Sequence, residues 1–193
     1  MNFNRPSFVT TANNVLYLTK VGKDSKMLTL HVIRHAKTLQ EVAGGKDKDR
    51  ELMEKGIAQS NLLGNYIQSH HIELGKILCS SAIRAMQTKS VVCQHLAERC
   101  NVDYRDSLYL ASKETILSEL CSEQDKVVTL IGHNEGISDL LSYCTNEFIH
   151  MKTAEFISIT FPVDEWTEIT NDYGTILLRY RPEVVLPKVF AAC

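Results

Sequence analysis

The chain has 193 residues, enough to bury one good core and most simply one domain, and its 44% hydrophobic and 23% charged residues exclude a disordered chain. A formal net charge of -2, a pI near 6.4 and scattered Lys and Arg argue against a nucleic-acid partner. No apolar run reaches the roughly 18 residues that cross a bilayer, and no basic region with an apolar signal core opens the sequence, so no membrane partner is expected.

Residues 1–26 are rich in Asn, Thr, Ser and Lys and read as a flexible or loosely packed extension, with a strand at most over Val15 to Leu18. A targeting peptide is the alternative, but the segment has no convincing amphipathic period. Residues 27–193 read as a single domain.

That domain opens on LTLHVIRHAKT, Leu28 to Thr38, an apolar strand that ends abruptly in Arg34 and His35. Leu39 to Arg50 is a loop by its glycines, Gly44 and Gly45, and by its charged run KDKDR. Helix follows from about 52 to 70, with Ile57, Leu62, Leu63, Tyr66 and Ile67 as its apolar stripe; His70 and His71 close it, where a cation suits the dipole. Lys76 to Cys79 is the next strand, ending in Ser80 and Ser81, either of which could cap a helix over about 82–98. Arg84, Gln87 and Thr88 share one face of that helix near its amino end, where free amides and a guanidinium suit an anion.

Val102 to Leu108 reads as a strand and Lys113 to Cys121 as a short helix. Val127 to Ile131 is a nearly continuous apolar run, expected of a central strand covered on both faces. Gly132 and His133 end it, and Asn134 can cap a helix starting near Glu135. Within Ala154 to Arg181, FISITF and TILLRY alternate as the arms of a β-hairpin whose connection contains Trp166, Asn171, Asp172 and Gly174. An irregular end is expected beyond Pro182. The six cysteines, Cys79, Cys93, Cys100, Cys121, Cys144 and Cys193, have no C-x-x-C pair and lie mostly in apolar segments. They read as reduced, core-filling thiols, which points to the cytoplasm.

Three apolar strands thus end in residues suited to an anion: Arg34 with His35, Ser81 with Arg84, and His133. In a parallel sheet those ends lie on one edge, where ligands collect. Two guanidiniums and two imidazoles could compensate a phosphoryl group as its charge moves in the transition state. No P-loop or carboxylate cluster announces a metal or other cofactor, so the chemistry expected is phosphoryl transfer to a nucleophile of the protein itself. His35 is the natural one: its neutral imidazole attacks and water hydrolyses the phosphohistidine. A cysteine phosphatase built on Cys79 and Arg84 does not fit, because that class needs five residues between the two and only four stand here.

VIRHAKT, SSAIRAMQT and LIGHNEGIS, in that order and spacing, resemble the three signature blocks of the histidine phosphatase superfamily, also called phosphoglycerate mutase-like. The RHAK opening, the short chain and the terminal hairpin look most like the SixA-type small branch, whose members remove phosphate from protein phosphohistidine. The resemblance implies a three-layer α/β/α sandwich with a mostly parallel central sheet and a C-terminal β-hairpin at the edge. It also implies His35 as phosphorylated nucleophile, with Arg34, Arg84 and His133 holding the phosphate and Ser81 beside them. The general acid stays open between Asp49, similar in place to an acidic residue of the family, and Glu135, which stands where the family more often has proline. The implied partner is a phosphorylated protein, as phosphohistidine, or a small phosphorylated metabolite. The alternative is a non-catalytic phosphate-binding or interaction domain of the same fold. Specificity is expected from Leu39 to Arg50 and Tyr109 to Thr115, with the N-terminal extension as a further candidate.

Overall fold

The computed structural model describes residues 27–40 and 45–184. The N-terminal extension with its expected strand, Gly44 and Cys193 lie outside the described residues.

Among these residues ten regular elements alternate: β1 (Leu28–Arg34), α1 (Glu54–Ser69), β2 (Lys76–Ser80), α2 (Ile83–Cys93), β3 (Asn101–Arg105), α3 (Lys113–Leu120), β4 (Val127–Gly132), α4 (Gly136–Thr145), β5 (Phe156–Phe161) and β6 (Thr175–Tyr180). The strands form one sheet in the order β3-β2-β4-β1-β5-β6. The first four are parallel, while β5 and β6 make the antiparallel hairpin at one edge. No helix of the described residues is long and apolar enough to cross a membrane.

The apolar runs of the central strands follow from burial on both faces. On one face Leu30, Val32, Leu130 and Ile157 meet Ile116, Leu120, Ile137 and Leu140 of α3 and α4. On the other, Ile33, Ile77, Ile131 and Phe156 meet Leu63, Ile67, Ala85 and Val92 of α1 and α2. The result is the three-layer α/β/α sandwich that the resemblance implies. In the hairpin only β6 alternates toward solvent; all six residues of β5 are buried because it lies between β1 and β6.

The stripe of α1 differs from the expected one. Its buried face is Gly56, Gln59, Ser60, Leu63, Gly64 and Ile67, while Ile57 and Leu62 stand largely exposed. Close approach is the reason: a methyl group added at Gly56 would lie 2.0 Å from the Lys37 carbonyl oxygen, and one at Gly64 would lie 2.9 Å from that of Val92. Hydrophobic periodicity reports greasy contact and overlooks faces chosen for small size.

The cysteines need a correction as well. Cys79 and Cys144 are buried thiols, but Cys121 is exposed and Cys93 is joined to Cys100 by a disulfide. Helix α2 ends at Cys93 rather than near residue 98, and the chain turns back into β3, bringing the two Cα atoms to 6.4 Å. The bond removes the cysteine argument for a reducing compartment.

His31 sits in β1 under α1, 5% exposed, its Nε2 donating to the Glu73 carbonyl at 3.1 Å and its Nδ1 without a partner. Burial pushes its pKa down to about 4, against the help of that hydrogen bond. The native ring stays neutral where the unfolded ring, with its ordinary value near 6.5, takes a proton. Stability therefore falls as pH drops from about 6.5 to 4, on the order of a few kcal/mol for such a group. Urea titrations across that window should show the loss, and His31→Leu should reduce it by His31's share; an unchanged slope in the variant would clear His31 of any part.

Candidate active site

Strands β2, β4 and β1 are neighbours in the sheet and parallel, so their carboxyl ends open onto one edge. Arg34 is the last residue of β1 and Gly132 the last of β4, which places His35 and His133 side by side, ring centroids 5.1 Å apart. Arg84 comes from the first turn of α2. These four side chains line one cavity of about 330 Å³, joined there by Asp47, Arg50 and Asn134 among others.

The backbone around His35 is fixed from three sides. His35 N–H donates to the Gly132 carbonyl of β4 at 3.1 Å, Ala36 N–H to Thr88 Oγ1 of α2 at 3.0 Å, and Lys37 N–H to Gln59 Oε1 of α1 at 3.1 Å. Thr88 Oγ1 also donates to the Arg84 carbonyl at 2.7 Å, so the turn after His35 and the Arg84 guanidinium share a support. His35 Nδ1 lies 2.9 Å from the Ala36 carbonyl oxygen. A carbonyl can only accept, so Nδ1 carries the hydrogen and Nε2 keeps its lone pair. Burial lowers the pKa of His35 to about 4 against that hydrogen bond, and the charges of Arg84, Arg34 and Arg50 lower it further. The ring is neutral at physiological pH.

His133 is held from below: its Nε2 lies 2.8 Å from Ser80 Oγ, which also accepts the Ala82 N–H at 3.3 Å. Assigning the Ser80 hydroxyl hydrogen to Nε2 makes Nδ1 the ring's donor, and Nδ1 is buried and unpartnered. Burial, then His35 and Arg84, lower its pKa to about 3, although Asp47 works the other way. Arg34 donates through Nη1 to the Met151 carbonyl at 2.8 Å, and its Nε is likewise buried without a partner. Asn134 binds the same carbonyl at 3.1 Å and so helps place Arg34. Two orphaned donors on cavity-lining side chains suit an oxyanion that would satisfy both.

The remaining charge is met by the chain itself. Arg84, 3% exposed, donates to the Asp47 backbone oxygen at 2.6 Å and to Asp47 Oδ2 at 2.9 Å. Arg50 donates to Asp47 Oδ1 at 2.9 Å and Tyr109 to Oδ2 at 2.7 Å. Led by the Tyr109 hydroxyl, these donors hold the Asp47 carboxyl well below the usual range. Tyr109 packs edge-on against His133, ring centroids 5.6 Å apart.

Of the residues expected from sequence, Arg34, His35, Arg84 and His133 come together. Ser81 does not join them: its hydroxyl donates to the Asp106 carboxylate, and the contact beneath His133 is made by Ser80. Asp49 is exposed, and among the described residues the carboxylate that lines the cavity is Asp47. Glu135 is exposed at the start of α4, outside the cavity lining, and supports the charge of Arg34 from a distance. Asn134 does not cap α4 but accepts from Ser138 Oγ at 2.9 Å. Burial pushes the Cys79 thiol up to about 12, which removes it as a nucleophile. No three His, Cys, Asp or Glu among the described residues cluster to hold a metal.

In NMR titrations the rings of His35 and His133 should stay neutral from pH 7 to 5 and protonate only near pH 4 and 3; a midpoint near 6.5 in either contradicts its buried placement. Arg84→Ala should weaken vanadate binding on the order of a hundredfold, and a loss of only a few fold would take Arg84 out of the oxyanion site.

Residues 30–108 match the histidine phosphatase superfamily (branch 1). An uncharacterized protein of Mycobacterium tuberculosis is 32% identical over 133 residues, 67% of this chain and 81% of that protein. The fold is similar to that of a candidate phosphohistidine phosphatase SixA from Nakamurella multipartitia, at 21% identity and TM-score 0.70 over 82% of this chain and 98% of that one. It is also similar to the protein histidine phosphatase SixA complexed with tungstate, at 20% identity and TM-score 0.67 over 80% of this chain and 97% of that one. The matched run carries Arg34, His35 and Arg84 on the strand ends and helix start where the geometry needs them, and the chain belongs to the histidine phosphatase superfamily.

Proposed function

We propose that this protein is a metal-independent phosphatase that works through a phosphohistidine on His35, acting on protein phosphohistidine or on a small phosphate ester. The observation that carries the reading is the state of His35: neutral, its Nδ1 bound to the Ala36 carbonyl, its Nε2 lone pair free in a cavity lined by Arg34, Arg84 and His133.

In the proposed reaction Nε2 attacks phosphorus as the bond to the leaving group breaks. Arg34, Arg84 and His133 Nδ1 bind the equatorial oxygens, where the transition state concentrates charge. Water then attacks the phosphohistidine, releasing phosphate and the neutral ring. The names borne by the two solved relatives favour protein phosphohistidine. So does the setting, for the exposed side chain of Leu110 lines the cavity and offers a protein surface an apolar contact. An imidazole also leaves readily once protonated, near pH 6.5.

A binding domain without turnover is the second reading, favoured by the Asp47 carboxylate that already engages Arg84 and Arg50. Hydrolysis of an aryl phosphate separates the two. The chain should turn it over, His35→Ala should abolish turnover, vanadate should inhibit and a chelator should not. Turnover that survives His35→Ala, or that a chelator removes, refutes the mechanism. Competition between a phosphohistidine-bearing protein and phenyl phosphate, read as kcat/KM, then decides the substrate class.

A further inference from the structure

The reaction needs a proton for the departing atom, and none of the four residues around the phosphate supplies one: two are guanidiniums and two are neutral imidazoles. Asp47 is the one carboxylate among the described residues that line the cavity. In the free protein its partners are Arg84, Arg50 and the Tyr109 hydroxyl, at 2.9, 2.9 and 2.7 Å. Arg84 therefore has two claimants, Asp47 now and a substrate phosphoryl group later.

We propose that Asp47 is the general acid of the phosphoryl transfer, and that it becomes one by surrendering Arg84 to the incoming phosphate. This rests on the phosphatase reading above. A phosphate dianion outcompetes a carboxylate for a guanidinium, because it carries more charge and presents three oxygens. Asp47 then loses a charge-assisted partner and gains a neighbouring anion, and both changes favour its protonated form. The proton arrives with the substrate, whose second ionisation lies near pH 6. Tyr109 keeps hold of Oδ2 and positions the acid beside His133.

The step balances. The Nε2 lone pair of His35 forms the N–P bond while the P–O or P–N bond to the leaving group breaks. That bonding pair goes to the leaving atom, which takes the Asp47 proton. The resulting carboxylate accepts a proton from the water that attacks the phosphohistidine, and His35 returns neutral as inorganic phosphate departs.

The test is leaving-group dependence in Asp47→Asn, which keeps the shape and an acceptor for Arg84. kcat/KM reports steps through departure of the leaving group and is not masked by slow hydrolysis of the intermediate. Phenol, with a pKa of about 10 as in tyrosine, needs the proton far more than the acidic nitrophenol does. In Asp47→Asn the ratio of kcat/KM for nitrophenyl phosphate over phenyl phosphate should rise on the order of a hundredfold. An equal fall for both esters makes Asp47 only a support for Arg84 and Arg50 and overturns the proposal. So does an equal gain, which makes it only a competing anion. Vanadate inhibition of the variant checks that the pocket survives. If it is lost, Asp47→Glu becomes the decisive variant: it must keep the wild-type ratio, and a raised ratio there overturns the acid role. A wild-type chain inert toward both esters overturns the phosphatase reading and this proposal with it, whereas the outcomes above strike Asp47 alone.

Discussion

A guanidinium that is 3% exposed must have an anion beside it, and much of this site follows from that demand on Arg84. Stripping water from a charge costs several kcal/mol unless hydrogen bonds of good geometry replace it. The fold meets the cost with Asp47, held in place by Arg50 and Tyr109. The segment carrying Asp47 is pinned in turn, since Arg50 donates to Thr38 Oγ1 at 2.7 Å and Lys48 to the Asp106 carboxylate at 2.8 Å. The charge of one buried arginine thus organises a loop that has no core of its own.

The scaffold beneath works by a different means. Burial on both faces fixes β1, β2 and β4 rigidly, so their ends are as reproducible as the core. Polar side chains then convert rigidity into aim: Thr88 ties the turn after His35 to α2, Gln59 ties it to α1, and Ser80 sets His133. Low dielectric makes each such bond stronger and each omission costlier. The neutrality of both histidines has the same origin, because burial is the largest cause of each shift.

What the sequence made legible tracks these two regimes. Arg34, His35, Arg84 and His133 could be read because apolar strands announce their own ends, and polar residues directly beyond them have few places to go. Ser80 and Ser81 could not be told apart without the register: successive strand residues face opposite sides, and Ser80 rather than Ser81 meets His133. Asp47 was hidden in KDKDR, where two aspartates look equivalent and only the path of the loop selects one. The Cys93–Cys100 bond depended on where α2 stops, which its apolar pattern leaves undefined.

The close contact of Gly56 with the Lys37 carbonyl has a consequence for how such a protein can diversify. Close-packed interiors do not absorb an extra methyl group without displacing backbone. Here the displaced backbone would be the turn two residues beyond His35. The wall of the cavity at Lys37, backed by α1, is therefore closed to added bulk. The edge at Leu110 carries an exposed side chain that can be exchanged without disturbing Asp47 and its partners Arg84, Arg50 and Tyr109. New specificities have the Leu110 edge of this cavity on which to arise, while the turn at Lys37 stays fixed by its contact with α1.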